Sequence, residues 1–410
     1  MKKLLFLLVP ALLFSDDLKS MLLFAEQNNN IIKSSKLSVD AKSKELTSAK
    51  SSYYPTLDTG AFYQREDKPS PFSPGTVYAA YAKVGVDIYD GGKKSYTKKQ
   101  KQDEVDSASY SYKDTKKSIL LDIVKDYYNL ENAYAFLAAK EEALKAVKAQ
   151  LTRMQEFYKA KLATSDDVDR LQSAYEKNIY DIESQKFQIV SLKKMLELKV
   201  GKNITSIEKS TFKKSLTQRA LELDSTQSLR YSKKSLNNLA ETIDSYYYPN
   251  IRLEDTYTYY GYQDKPSFGT TPISQLNNQN KIMATLNFRL VDFGVLGEQK
   301  EAFKLQAAAL NEQIKYKTKE QSMQIELAKA RIKTAQLNIQ SSQSALKAAT
   351  SALNTITQKY NAGIVDNVVY LDALSSKTEA KTLYKQSLNN LEIAYAIYYY
   401  YNSKNLLEYL

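Results

Sequence analysis

Histidine and cysteine are both absent from the 410-residue chain. Their absence removes the usual proton shuttle, the thiol nucleophile, the disulfide framework and nearly every transition-metal site. Catalysis would have to rest on carboxylates, Lys, Ser or Tyr alone, so the sequence is read as a non-enzyme with no metal and no other cofactor. Glycine and proline are scarce: 11 and 8 residues, against a usual combined share of about 12%, leave most of the chain free to run through long uninterrupted elements. Beyond Phe14 no run reaches about 18 consecutive apolar residues, so helical membrane spans are not expected.

What is present begins with charge. Lys and Arg number 58 against 46 Asp and Glu, a formal +12, which suits nucleic acid, acidic membranes or anionic solutes. Met1-Lys2-Lys3 precedes Leu4–Phe14, an apolar run of export-signal length, with cleavage expected after Ser15. Removing Lys2 and Lys3 leaves +10. No cysteine follows the signal to carry a lipid anchor. Export also removes nucleic acid as a partner. An exported chain without helical spans is periplasmic, secreted or an outer-membrane β-barrel.

The chain repeats itself. Tyr53-Tyr54-Pro55 recurs as Tyr247-Tyr248-Pro249, offset by 194, and Tyr89-Asp90-Gly91-Gly92 as Val291-Asp292-Phe293-Gly294, offset by 202. The second offset persists through two heptad stripes: Ile123, Leu130, Leu137, Leu144, Leu151, Tyr158 and Ile325, Ile332, Ile339, Leu346, Leu353, Tyr360. Two apolar stripes in phase at one offset imply an internal duplication. Helices are expected from about Lys93 to Lys161 and Gly297 to Asn361, each on the order of 100 Å long. Small residues three positions after the stripe, such as Ala133, Ala328, Ala335 and Ala349, allow close helix approach in a left-handed supercoil. Each helix ends in a break and reverses, the first with Ser165 or Asp166 as expected cap, the second with Gly363 after its C-terminus. The first return helix keeps the period in Val168, Tyr175, Ile182, Ile189 and Leu196.

Before each hairpin the period changes from seven to two. Tyr78, Ala80, Ala82, Val84, Val86 and Ile88 alternate with Tyr81, Lys83, Gly85 and Asp87; Ile282, Ala284, Leu286, Phe288 and Leu290 alternate with Thr285, Asn287 and Arg289. With their Tyr-rich partners these strands have the length of tilted membrane strands, Ala82 and Val84 facing lipid and Lys83 the lumen. The loops Asp67–Gly75 and Gln263–Asn280 are rich in turn formers. Four strands cannot close a barrel with a lumen, and open edges are not tolerated in lipid, so several chains must close it together. The fold class is mostly α with a β-barrel part. It comprises two internal repeats, each two membrane strands plus a long antiparallel helical hairpin. The expected layout is a signal peptide at 1–15 and a first repeat at 16–203, with strands about 53–66 and 76–89 and a hairpin about 93–200. A linker at 204–226 leads to a second repeat at 227–410, with strands about 247–262 and 281–292 and a hairpin about 294–403.

These residues resemble the TolC family of outer-membrane efflux channels. The shared features are the export signal, a helix ending in Tyr-Tyr-Pro before a strand, an Asp-Gly pair opening a long helix and a Tyr-x-Ala-Gly-type turn, each of the last three occurring twice. The resemblance implies a homotrimer with a twelve-stranded barrel in the cell outer membrane and an α-helical barrel extending into the periplasm. It implies a belt formed by Lys202–Thr226 and Lys404–Leu410. It further implies a periplasmic adaptor (membrane fusion) protein and an inner-membrane RND or ABC-type pump as partners, for efflux or type I secretion. Tyr360 and Asp167 match positions of a closing polar network whose basic member, two after the glycine, is Val365 here; of an acidic pair at the entrance, the first position is Val369 and only Asp372 carries over. Lys161, Leu162, Gly363 and Ile364 form the hairpin tips, where the resemblance places adaptor contacts, and Lys161 stands where a glycine is expected.

Read without the resemblance, Asp166 and Asp366 are helix caps, while Asp372 lies too far into its helix to cap and is either an entrance residue or part of a solvated face. Asp169 is placed on the outer side of its helix. The competing functional readings are a non-channel coiled-coil envelope scaffold or adhesin, and a nucleic-acid-binding coiled coil that export excludes.

Overall fold

The computed structural model of the chain describes residues 17–68, 74–216, 219–263, 267–268, 271–272 and 274–410. The export signal, Met1–Ser15, and parts of the two strand-connecting loops lie outside them. The helices are α1 (Leu18–Asn28), α2 (Asn30–Ser51), α3 (Lys93–Lys159), α4 (Ser165–Val200), α5 (Asp224–Asp244), α6 (Val295–Asn361) and α7 (Asn367–Tyr401). The strands are β1 (Thr56–Arg65), β2 (Thr76–Asp90), β3 (Asn250–Gln263), β4 (Ser267–Phe268), β5 (Thr271–Pro272) and β6 (Asn278–Asn287). The chain forms two compact units, one drawing on residues up to Lys36, Ser111–Asp224 and Lys317–Leu410, the other on Leu37–Tyr110 and Ser225–Tyr316. Each unit takes segments from both repeats, so the duplication runs along the chain and does not divide it into two bodies.

The duplication is visible at the level of single residues. Helices α3 and α6 both contain 67 residues, and their starts, like those of α4 and α7, differ by 202. The starts of α2 and α5, and of β1 and β3, differ by 194. The strand-to-helix turns repeat atom for atom. Gly92 and Lys94 donate their amides to the Asp90 carboxylate at 3.0 and 2.8 Å; Gly294 and Leu296 do so to Asp292 at 3.1 and 2.9 Å. One carboxylate thus takes up two of the unpaired donors at each long helix's N-terminus. Both turns pass through left-handed backbone, at Gly91 and Gly92 in one and at Phe293 and Gly294 in the other.

Strands β1, β3 and β6 are shorter at their helix-facing ends than the alternation predicts, β2 runs one residue further, to Asp90, and β6 starts earlier. Strands β1 and β3 start at Thr56 and Asn250, after Pro55 and Pro249, which have no N–H to give a ladder. Strand β6 runs over Asn278–Asn287 and stops opposite Asn250, because β3 offers no partner further on. The linker is also shorter, since α5 already begins at Asp224.

In the first unit the core is built from one face of each helix. Leu18, Met21 and Leu22 of α1, Ile123, Tyr127, Tyr128 and Leu130 of α3, Leu196 of α4 and Tyr395, Tyr398 and Tyr399 of α7 are buried together. The irregular segment after α4 is tied to this core by tyrosines. Tyr128 donates to the Ser210 carbonyl at 3.0 Å and Tyr398 to that of Leu216 at 2.9 Å. The Phe212 amide donates to the Glu392 carboxylate at 2.8 Å, and Tyr399 stacks on Tyr409 at 4.0 Å. Tyrosines of α3 and α7 therefore anchor a segment that has no ladder of its own. The heptad stripes are buried or half-buried except at Tyr158, which is 50% exposed. Its counterpart Tyr360 is 8% exposed because it stacks on Tyr370 at 5.1 Å; the residue equivalent to Tyr370 in the first hairpin is Val168, which offers no ring.

The two helical reversals share one hydrogen-bond pattern. Leu162 donates to the Phe157 carbonyl at 2.8 Å and Lys161 to that of Tyr158 at 3.0 Å; Ile364 donates to Lys359 at 2.9 Å and Gly363 to Tyr360 at 3.1 Å. Lys161 adopts φ +63° where Gly363 has +71°, so the missing glycine does not open the turn. Thr164, not Ser165 or Asp166, caps α4: it has extended backbone and forms a capping box with Asp167. Asp166 instead pairs with Arg170 one turn on, at 2.8 Å. Asp366 does cap α7, accepting from Val368 and Val369 at 3.1 Å. Left-handed backbone costs an L-residue about 1–2 kcal/mol, against a smaller entropic cost for glycine. Lys161→Gly should therefore raise thermal stability slightly and Gly363→Lys lower it by about 1 kcal/mol, read from helix loss by circular dichroism of the detergent-solubilised protein; equal midpoints for all three proteins would show that the turns are not strained.

Candidate functional site

The four main strands form one antiparallel sheet in the order β1-β2-β3-β6. Register sets what each face carries. Val84 lies opposite Leu57 and Asp255, and Leu253 opposite Ala284. Leu57, Tyr63, Tyr78, Val84, Leu253, Tyr257, Ile282 and Leu286 are exposed on this side, a mainly apolar face whose polar residues include Thr59, Asp255, Asn278 and Asn280. The opposite face carries a line of charges. Lys83 approaches Glu254 at 3.6 Å, Arg252 bridges Glu254 at 2.9 Å and Asp87 at 2.8 Å, and Lys94 reaches Asp87 at 3.1 Å. Alternation has thus sorted an apolar surface from an ionic one, with Ala82 and Val84 on the first and Lys83 on the second. A side chain on Gly60 or Gly261 would collide with the cross-strand ring of Tyr81 or Tyr78, so these glycines let aromatic rings lie flat over the ladder. Among the described residues, the outer edges of β1 and β6 have no partner strand.

The second candidate region is the pair of hairpin tips in the first unit. Leu162 and Ile364 protrude, 75% and 71% exposed. Behind them, Tyr360 and Tyr370 pack with Val147 and Leu374, and Val365 packs against the same cluster. Burial pushes the Tyr360 phenol up from its ordinary pKa. Its hydroxyl has no hydrogen-bond partner among the described residues. Asp167 is nearby, but its carboxylate is engaged by Thr164 at 2.7 Å, and Asn367 of the other hairpin donates to its carbonyl at 3.2 Å. The two residues are brought to one cluster and not to one hydrogen bond. Asp372 and Asp169 are exposed, and Asp372 makes no ion pair among the described residues.

Nothing in the sequence pattern marks Arg153 as a contact residue. It donates to the Asn361 side chain at 2.5 Å and lies 5.9 Å from the Tyr360 ring centre, tying α3 to the end of α6. Further from the tips, Glu142 of α3 takes hydrogen bonds from both Lys377 and Lys381 of α7. Lys140 pairs with Asp181 at 2.9 Å, and Asn389 donates to Asn132 at 2.8 Å. No apolar period marks such residues, because an interhelical polar contact and a solvated position look alike in sequence.

The comparisons with known proteins agree with this geometry. Residues 24–183 match the family model described as outer membrane efflux protein. No curated protein matches the chain. Among solved structures, the outer-membrane channel CmeC of Campylobacter jejuni aligns with a TM-score of 0.83 at 16% identity, over 94% of this chain and 85% of its own. The outer-membrane protein VceC of Vibrio cholerae gives 0.79 at 15%, over 95% and 96%. The open state of the MtrE channel of Neisseria gonorrhoeae gives 0.76 at 13%, over 95% and 89%. The chain therefore has the fold of the TolC-like outer-membrane channels, and its resemblance to that family rests on sequence and fold together.

The Glu142 contact gives this region a pH dependence. Hydrogen bonds from Lys377, then Lys381, hold its carboxyl at about 2, below the ordinary 4.5. A depressed carboxyl stabilises the fold above its unfolded value and loses that contribution as pH falls through the folded one. Because the groups are partly exposed, the effect should be under about 1 kcal/mol. Glu142→Gln should lower the urea midpoint slightly at pH 7 and converge with wild type near pH 2; a constant difference across that range would mean that charge is not what Glu142 contributes.

Proposed function

We propose that the chain is the outer-membrane exit duct of a tripartite efflux or type I secretion system. In this reading three copies close a twelve-stranded barrel, and their hairpins continue it as a helical barrel into the periplasm. A periplasmic adaptor and an inner-membrane RND or ABC-type pump deliver the cargo. The observation that carries the reading is the four-stranded sheet with an apolar face, an ionic face and two unpaired edges. In hydrocarbon an open edge leaves backbone donors and acceptors without water or partner, and closure by further copies removes the edge. Twelve strands leave a water-filled lumen, whereas eight leave an interior filled by side chains. A scaffold or adhesin built on the same helices gives no role to a sheet with these two faces.

In this reading the exposed tip residues Lys161, Leu162, Gly363 and Ile364 meet the adaptor. Asp372, repeated by symmetry with Tyr360 and Asp167 nearby, forms an acidic ring at the periplasmic entrance. Cross-linking in detergent should yield trimers, and a ladder ending at dimers would defeat the proposal. Ala82→Asp or Val84→Lys should impair membrane assembly far more than Lys83→Ala, since a charge at mid-membrane costs roughly 2–4 kcal/mol. In planar bilayers at low salt, Asp372→Asn should weaken cation preference and block by multivalent cations, with the trimer intact. Unchanged selectivity would return Asp372 to a solvated helix face.

A further inference from the structure

Where the sheet meets its helices, the last residue of β2 and the ends of β3 and β6 surround a cavity of about 470 Å³ in the second unit. Its wall includes Lys93, Arg289, Tyr246, Tyr248, Phe288 and Asp90. The Lys93 ammonium sits 4.6 Å over the Tyr246 ring. Tyr246, Tyr248 and Phe288 are all exposed, and Phe288 continues the parity of Ile282, Ala284 and Leu286 on the apolar face. The cavity thus opens at the rim of that face.

The charges around it are unbalanced for a physical reason. The carboxylates close by are occupied: Asp244, next to Ser245 of the wall, accepts from Lys300. Asp90 accepts from the amides of Gly92 and Lys94. Asp292, which acts on Arg289 through space, accepts from Gly294, Leu296 and the Tyr247 hydroxyl. Neither Lys93 nor Arg289 forms an ion pair among the described residues. Two cations between aromatic walls, at the boundary of an apolar surface, match a phosphate diester whose acyl chains run along that surface. Inorganic phosphate would leave the aromatic walls and the adjoining apolar face unused.

We infer that this cavity binds the headgroup phosphate of an anionic glycerophospholipid in the leaflet nearer the helices. The inference rests on the proposed membrane position of the sheet. The test is native mass spectrometry of the full-length protein in detergent, with phosphatidylglycerol, phosphatidylethanolamine of the same acyl chains, and inorganic phosphate as competitor. Wild type should retain phosphatidylglycerol over phosphatidylethanolamine by about fivefold for each cation engaged. The double variant Lys93→Gln, Arg289→Gln should lose that preference, Arg289→Lys should keep most of it, and Lys281→Gln, on the charged face, should leave it unchanged. Circular dichroism of the double variant should match wild type, so that a lost preference reports the site and not the fold. Equal retention of both lipids by wild type, an undiminished preference in the double variant, or displacement of the lipid by millimolar inorganic phosphate would overturn the inference. Failure of the membrane reading itself would look different: the protein would stay soluble without detergent and carry neither lipid.

Discussion

The unpaired backbone of β1 and β6 is the constraint on which the rest depends. A sheet that ends in two open edges is incomplete in any solvent that cannot hydrogen-bond, and here one face is also apolar. Side-chain chemistry on the sheet serves the same requirement. Lys83, Arg252, Glu254, Asp87 and Lys94 form a chain of ion pairs on a single face, which leaves the other face able to meet hydrocarbon. Asp255 places a carboxylate on that face between Val84 and Ile282.

The helices depend on a second economy, the repeated use of a few turns. Of the four turns compared between the repeats, two place a non-glycine residue in left-handed backbone, Phe293 and Lys161. Each costs about 1–2 kcal/mol relative to an unstrained residue. Both turns persist because their hydrogen bonds fix the path: the Asp292 carboxylate holds two amides, and two main-chain bonds close the tip at Lys161. The geometry belongs to the hydrogen-bond pattern, and glycine only lowers its cost.

Much of this was legible in the sequence because it is written in periods. The heptad stripes, the two offsets and the period-two segments gave the helices, the duplication and the strands directly, since each reflects a burial pattern that a helix or a sheet imposes. The small residues Ala133, Ala328 and Ala335 are buried as the close helix approach requires. Strand ends and caps were less legible. Thr164 caps α4 where the sequence suggests Ser165 or Asp166, because a cap is decided by one residue's backbone angles, and β6 ends where its partner begins, not where its own alternation fades. The polar ties were not legible at all. Glu142 meets Lys377 and Lys381, and Arg153 meets Asn361, across more than 200 positions of sequence, and nothing local distinguishes these residues from a solvated face.

The tip shows how a departure in sequence becomes a different physical device. A basic residue at the position of Val365 would have offered a charge to Tyr360 or Asp167. Valine packs instead against the stacked rings of Tyr360 and Tyr370, and the nearby cation, Arg153, comes from the opposite helix to bind Asn361. Apolar packing and ring stacking respond little to ionic strength, whereas an exposed ion pair is screened by salt. The cohesion of this tip therefore rests mainly on contacts that salt does not weaken. With Asp167 held by Thr164 and the Tyr360 hydroxyl left without a partner, the polar groups at the tip are not locked to each other within one chain. What one chain holds closed at its tip, it holds by packing.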